Sequence, residues 1–284
     1  MAQTQSFTFT NDIDTVEVTS IGAKIIIQPH DGEGIFVEYV NPKDAPEFAA
    51  VLSGKTLTLK EQMPLRSISL NVFSRRSEEC TLAVKLPAVC YAKLKVNTTS
   101  GGAEIGEVLA QQFELNTASG NISINAFFED IKLQSASGDI TLANTTKNTA
   151  KLLRVGNVSG STTVLGYKSE KYAINSVSGK TVIEGAAGAG EISVASGNID
   201  VSYAEWNADL KVSAVSGDVK ITLPEQAGAV ITLDGISGTL KTDLGAAKGS
   251  FVNLGKGTSG EFGGENKHSI CANLVSGNII VTQA

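Results

Sequence analysis

The stretch Ser135-Ala136-Ser137-Gly138-Asp139-Ile140-Thr141-Leu142 returns as Ser193-Val194-Ala195-Ser196-Gly197-Asn198-Ile199-Asp200-Val201. It returns again as Ser213-Ala214-Val215-Ser216-Gly217-Asp218-Val219-Lys220-Ile221. The Ser-Gly pair at its centre occurs ten times between residue 100 and the end of the chain. The first five pairs are Ser100-Gly101, Ser119-Gly120, Ser137-Gly138, Ser159-Gly160 and Ser178-Gly179. The other five are Ser196-Gly197, Ser216-Gly217, Ser237-Gly238, Ser259-Gly260 and Ser276-Gly277. Successive serines stand 17 to 22 residues apart. A fixed period of this size marks a stacked array, in which each repeat buries its apolar face only against its neighbours.

Positions are counted from the serine. Minus six and minus four are apolar in most repeats, as in Phe113/Leu115, Ile131/Leu133 and Leu210/Val212. Plus three and plus five are apolar as well, as in Ile122/Ile124, Ile140/Leu142 and Val219/Ile221. Minus one is small or β-branched. Alternation at period two describes a strand with one buried face. The expected inward positions are thus even at minus six and minus four but odd at minus one, plus three and plus five, and one unbroken strand cannot keep a single face inward across that change. The chain is therefore expected to bend at Ser-Gly, where glycine takes a positive φ without a Cβ clash. Asn or Asp often follows (Asn121, Asp139, Asn198, Asp218, Asn278), residue types that bond nearby backbone in turns.

No repeat has room for a crossover helix. Corners at matched positions need parallel stacking of equivalent strands. The expected fold is all-β, a right-handed parallel β-helix (β-solenoid) of about ten rungs, some 45–50 Å long. The spacing of a leucine-rich repeat, its main rival at this period, is absent. Irregularities are expected at Gly190, which stands where an apolar residue is due, and as a distorted rung over residues 245–268.

The first ninety residues are β-rich but off period: Phe7–Phe9, Val16–Val18, Lys24–Ile27, Ile35–Tyr39, Thr56–Leu59, Ser67–Phe73 and Thr81–Leu86. Solenoids need an atypical terminal unit, so residues 1–92 are expected to form a β cap running without a linker into a solenoid of residues 93–284. The charged stretch Arg66–Glu79 reads as an amphipathic strand and turn in preference to a basic interaction loop.

The net charge is −6 and the pI about 5.1, with no long basic run, which argues against nucleic-acid binding. No apolar run is long enough to span a membrane as a helix. Met1–Thr10 lacks a charged n-region and an apolar h-region, so the chain as written reads as cytoplasmic, with the cell envelope or secretion as the alternative. Cys80, Cys90 and Cys271 lack CxxC spacing and read as reduced thiols.

Chemistry is sparse. His30 lies in a polar turn, and His268 near Glu261 and Glu265 is too small a set for a zinc site, so no metal and no cofactor are expected. GxSxG, P-loop and HExxH motifs are absent. Gly185–Gly190 reads as a tight return. A glycosidase or lyase on a β-helix would need clustered carboxylates. Asp139 and Asp218 share a column but lie four repeats apart, about 19 Å. They read as turn residues, and Asp200 and Asp209 as surface acids. The stacked serines read as corner residues bonding backbone, not as an ice-binding array.

The stretch Thr81-Leu82-Ala83-Val84-Lys85-Leu86-Pro87, followed by Leu94 to Gly101, resembles the first Ser-Gly repeat of the bacterial "putative adhesin" family DUF4097 and the strand before it. Val16–Val18 and Ile35–Tyr39 resemble its N-terminal strands, and the later Ser-Gly blocks match its signature. The resemblance implies a right-handed β-helix and an adhesive or envelope-associated role, and supplies no catalytic residues. The expected function is a non-catalytic structural or binding module that recognises a protein or glycan along its β-helix face. The alternative is a carbohydrate-active enzyme on the same fold. Residues 278–284 carry no charge or proline, so an open final edge and a homodimer through residues 270–284 are also expected.

Overall fold

The computed structural model describes all residues except 1–2, 42–46, 63–79, 145, 147, 238, 246–251, 255–256 and 265–266. The expected strand Ser67–Phe73 and the charged stretch around Arg75 therefore lie outside the described residues, as do Glu265 and Gly238. Among the described residues every regular element is a strand. The chain forms two compact units, Met1–Gly138 and Asp139–Ala284.

The first unit opens with β1 (Gln3–Phe9), β2 (Thr15–Ser20), β3 (Lys24–His30), β4 (Ile35–Asn41), β5 (Glu47–Ser53) and β6 (Thr56–Gln62). It continues with β7 (Thr81–Pro87), β8 (Cys90–Thr98), β9 (Ala103–Ile105), β10 (Leu109–Thr117), β11 (Ile122–Asn125) and β12 (Phe127–Ser135). One sheet runs β1-β4-β7-β3-β9-β11 and the other β5-β6-β2-β8-β10-β12. The repeat pattern dictates the parallel register: Leu94, Phe113 and Ile131 align, as do Val96, Leu115 and Leu133. All six are buried.

The parallel ladder also reaches into the off-period residues. Val16 and Val18 of β2 align with Leu94 and Val96 on one side and with Leu57 and Leu59 of β6 on the other. β3 likewise lies in parallel between β9 and β7. The β6–β7 rung, later in sequence than β2–β3, therefore stacks outside it. Antiparallel strands flank it, β4 and then β1 on one sheet and β5 on the other.

The second unit contains β13 (Ile140–Ala143), β14 (Ala150–Asn157), β15 (Thr162–Leu165), β16 (Ser169–Ser176), β17 (Lys180–Ala186) and β18 (Ala189–Ser196). Next come β19 (Asn198–Tyr203), β20 (Leu210–Ser216), β21 (Val219–Leu223), β22 (Gly228–Gly235) and β23 (Thr239–Thr242). The last four are β24 (Val252–Leu254), β25 (Thr258–Gly263), β26 (Lys267–Leu274) and β27 (Asn278–Gln283). The sheets run β13-β15-β17-β19-β21-β27-β23-β24 and β14-β16-β18-β20-β26-β22-β25.

The open C-terminal edge is not there. β27 pairs in parallel with β21 on one side and with β23 on the other, and β26 lies between β20 and β22. The chain lays the rung of β22 and β23 outside and then doubles back to place its last rung beneath it. That return removes the basis for a dimer through residues 270–284. The described residues of the expected distorted rung form antiparallel strands, β24 on β23 and β25 on β22. Ser259 and Gly260 accordingly lie inside a strand, opposite Thr232 and Ile231, and form no corner.

Gly190 has a packing reason. It aligns with Tyr172 of the neighbouring rung, whose ring fills the space a Cβ would need. The Tyr172 hydroxyl meets that of Tyr203, which stacks edge-on to Trp206, and the Trp206 indole donates to the Gly228 carbonyl at 2.8 Å. Burial pushes the Tyr172 hydroxyl pKa up, a shift the Tyr203 hydrogen bond only partly opposes.

Candidate functional site

The Ser-Gly column is the most regular surface feature of each unit. Positive φ values occur at Gly120, Gly138, Gly160, Gly179, Gly197, Gly217 and Gly277, between 104° and 127°. Six of them pack onto the glycine carbonyl of a neighbouring rung. A Cβ on Gly120 would stand 2.7 Å from the Gly101 oxygen, and one on Gly138 would strike that of Gly120. Gly179, Gly197, Gly217 and Gly277 meet the carbonyls of Gly160, Gly179, Gly197 and Gly217 in the same way. Two demands coincide here, a left-handed φ and the absence of a side chain.

The serine amides continue the ladder through the bend. Those of Ser119, Ser178, Ser196, Ser276 and Ser237 donate to the carbonyls of Thr99, Val158, Val177, Val215 and Val275. The Ser100 hydroxyl bonds the Ile21 carbonyl at 3.0 Å, a backbone-bonding role.

The inward residue before the corner is minus two, not minus one. Thr98, Thr117, Ser135 and Ser176 are buried there and donate to corner carbonyls, Thr117 to Ser119 at 2.8 Å and Ser135 to Ser137 at 2.9 Å. A small hydroxyl at this inward position ties down a carbonyl that the bend would otherwise leave without a partner. Even parity thus holds up to the serine, and the face changes only at the glycine.

Position minus one consequently faces solvent. In the second unit it forms a ridge of stacked side chains: Val158, Val177, Ala195, Val215, Val275 and Ile236, in spatial order. The valines and Ile236 are 44–72 % exposed. In the first unit the same column holds Thr99, Ala118 and Ala136, also exposed.

The residues offered as chemistry are occupied by structure. Asp139 accepts the Ser161 amide at 2.8 Å, and Asp218 accepts both the backbone and side-chain amides of Asn278 at 3.2 and 3.0 Å. Asn198 accepts the Asp218 amide in turn. Asp209 accepts the Ser269 amide at 2.7 Å and lies 4.0 Å from His268, while Glu261 pairs with Lys267. His30 closes its own turn, its Nδ1 accepting from Gly32. Asp200 sits half-exposed on β19. Cys80, Cys90 and Cys271 are thiols rather than disulfides. Gly185 and Gly188 take positive φ around the return between β17 and β18.

Glu61 escaped the sequence reading. It follows Lys60, the register partner of Thr19, at the corner of the first unit and is buried. Its carboxylate accepts from the Ser20 hydroxyl at 2.8 Å, the Tyr39 hydroxyl at 2.7 Å and the amides of Ile21 and Gly22, with the Cys80 thiol at 3.5 Å. Burial pushes its pKa up, but the donors outweigh burial and hold it below the usual glutamate value. The signal was parity, since Leu57, Leu59 and Glu61 share one face of β6.

Comparison with known proteins adds the family. A search of curated proteins finds no match. Among solved structures, a protein of Bacteroides fragilis named a putative adhesin is 12 % identical, with 99 % of this chain and 97 % of that one covered and a TM-score of 0.44. A putative adhesin of Parabacteroides distasonis is 9 % identical, with 99 and 97 % coverage and a TM-score of 0.45. A protein of the same organism named a putative lipid binding protein is 12 % identical, with 99 and 96 % coverage and a TM-score of 0.34. The Toastrack DUF4097 family model matches residues 13–282, taking in the Ser-Gly repeats and the β2–β3 rung alike, and the chain belongs to that family.

Proposed function

We propose that the chain is a non-catalytic binding module that recognises a protein partner along the exposed ridge beside its Ser-Gly corners. In this reading the parallel ladders wind as a right-handed solenoid of about ten rungs, because parallel crossovers overwhelmingly take that hand. Residues 1–92 cap it, and residues 93–284 present the repeated face.

The observation that carries the reading is the Val158–Ile236 ridge. Four solvent-facing valines, one isoleucine and Ala195, in register over six rungs, make a continuous apolar stripe of the kind that interaction surfaces use. A glycan partner fits less well. Sugar recognition leans on exposed aromatic faces, and all five tyrosines and the one tryptophan of the chain are buried. The carbohydrate-active enzyme is the alternative. Asp139 and Asp218, four rungs apart and each bonded to a backbone amide, lack the close spacing that a glycosidase pair requires.

A glycan array run beside an unbiased polysaccharide-cleavage assay separates the readings. The expected result is no cleavage and no glycan bound through the corner face. A polysaccharide cut by the parent and spared by Asp139→Asn or Asp218→Asn would establish the enzyme instead. Val177→Asp with Val215→Asp is expected to abolish adhesion to a partner-bearing cell surface while leaving the melting temperature unchanged.

A further inference from the structure

The outermost described strands are β1 and β5 in the first unit and β24 and β25 in the second. Sheet edges left bare are templates for another strand, and proteins blunt them with charge, proline, bulges or short length. β5 begins with Glu47, β24 is three residues long, and β25 carries Glu261 and ends at Gly263 with φ 77°. β1 has none of these devices. It runs seven residues, Gln3-Thr4-Gln5-Ser6-Phe7-Thr8-Phe9, in unbroken register with β4. Among the described residues no strand pairs with its other side.

Its two faces differ. Thr4, Ser6 and Thr8 are exposed, while Gln5, Phe7 and Phe9 are half-buried. Phe7 packs on Phe48 of β5 with ring centroids 5.7 Å apart. Phe7 and Phe9 are thus only partly covered, on a strand whose outer side joins no ladder among the described residues.

We propose that this edge is a self-association site, where β1 of a second copy of the chain adds antiparallel about a two-fold axis at Ser6. A register centred there pairs all seven residues, and any shifted register pairs fewer. Thr4 then faces Thr8 of the second copy, Ser6 faces Ser6, Gln5 faces Phe7 and Gln3 faces Phe9. Every pair joins like faces, because opposed residues in this register share parity. No charge is buried anywhere along the strand. The aliphatic stems of the two glutamines cover the half-exposed phenylalanine rings. This self-complementarity is what selects a second copy over a foreign strand. An isologous contact of this kind closes after two subunits, so the product is a dimer and not a fibre.

Sedimentation equilibrium of the full chain from micromolar to millimolar concentration tests the proposal. A concentration-dependent dimer is expected. Ser6→Lys sets two like charges side by side on the axis, and should weaken the dimer about tenfold with no change in the thermal melt. S6C should form an intermolecular disulfide on mild oxidation, because directly opposed Cβ atoms lie within bridging reach. Mapping the bridge by mass spectrometry separates it from Cys80, Cys90 and Cys271, and the crosslink decides the matter should Ser6→Lys fail to fold. A parent that stays monomeric and an S6C variant that gives no such bridge together overturn the proposal, leaving the edge to a foreign strand. So does a dimer indifferent to Ser6→Lys.

Discussion

A methyl group on Gly217 would have to occupy space already filled by the Gly197 carbonyl, at a φ of 121°. Gly217→Ala should therefore cost about 3 kcal/mol or more, through backbone strain together with overpacking. Gly54 supplies the control, with φ 58° and open space around a Cβ. Gly54→Ala should cost only about 1 kcal/mol. Denaturant melts of the two variants separate the clash from the conformational term, and equal losses would refute the stacked-glycine account. Glu61 makes a second prediction at this scale. Its pKa is lower in the folded chain than unfolded, so its stabilisation is complete above the unfolded value of about 4.3 and is lost as pH falls through the folded value. Glu61→Gln should be less stable at neutral pH and should lose less stability than the parent on acidification. Acid titrations of the two proteins with parallel slopes would contradict this. The serines and glycines were legible in the sequence because their spacing is regular. Glu61 was not, because a charged residue on an inward face reads as an error until its donors, far away in sequence, are brought to it.

Strands and corners follow from period two and the Ser-Gly punctuation, and most of them stand where the pattern puts them. The inward hydroxyl column was the part hidden from view. Counting apolar residues alone cannot show that Thr117 and Ser135 point inward, since their hydroxyls are satisfied by carbonyls that exist only once the corner has formed. The same omission turned the solvent-facing valines into apparent core residues. Ser135→Ala should cost about 1 kcal/mol by leaving the Ser137 carbonyl short of a donor. Ala136→Ser, one position along and exposed, should cost almost nothing. Chemical denaturation that ranks them the other way would restore minus one to the interior.

At the scale of the molecule, each unit ends in a rung that is out of sequence order. β6 and β7 stack outside β2 and β3, and β22 and β23 stack outside β26 and β27. Periodicity could not reveal this, because a repeat specifies how rungs stack and not which rung follows which. Hydrogen exchange should report the arrangement directly. The amides of β27, held between two ladders, should exchange slowly even though the strand closes the chain. Those on the outer side of β1 should exchange quickly in the monomer. Rapid exchange throughout residues 278–283 would mean that the last rung is not enclosed.

Enclosure of β27 also bears on how the protein answers to force. Tension applied at the last residue must break the ladder to β21 and the ladder to β23 together before the strand comes free. Tension at the opposite terminus peels β1 from β4 alone. Pulled from its two ends, the molecule is a ratchet with a soft side and a hard one. The amino end yields first, and the carboxyl end holds the load.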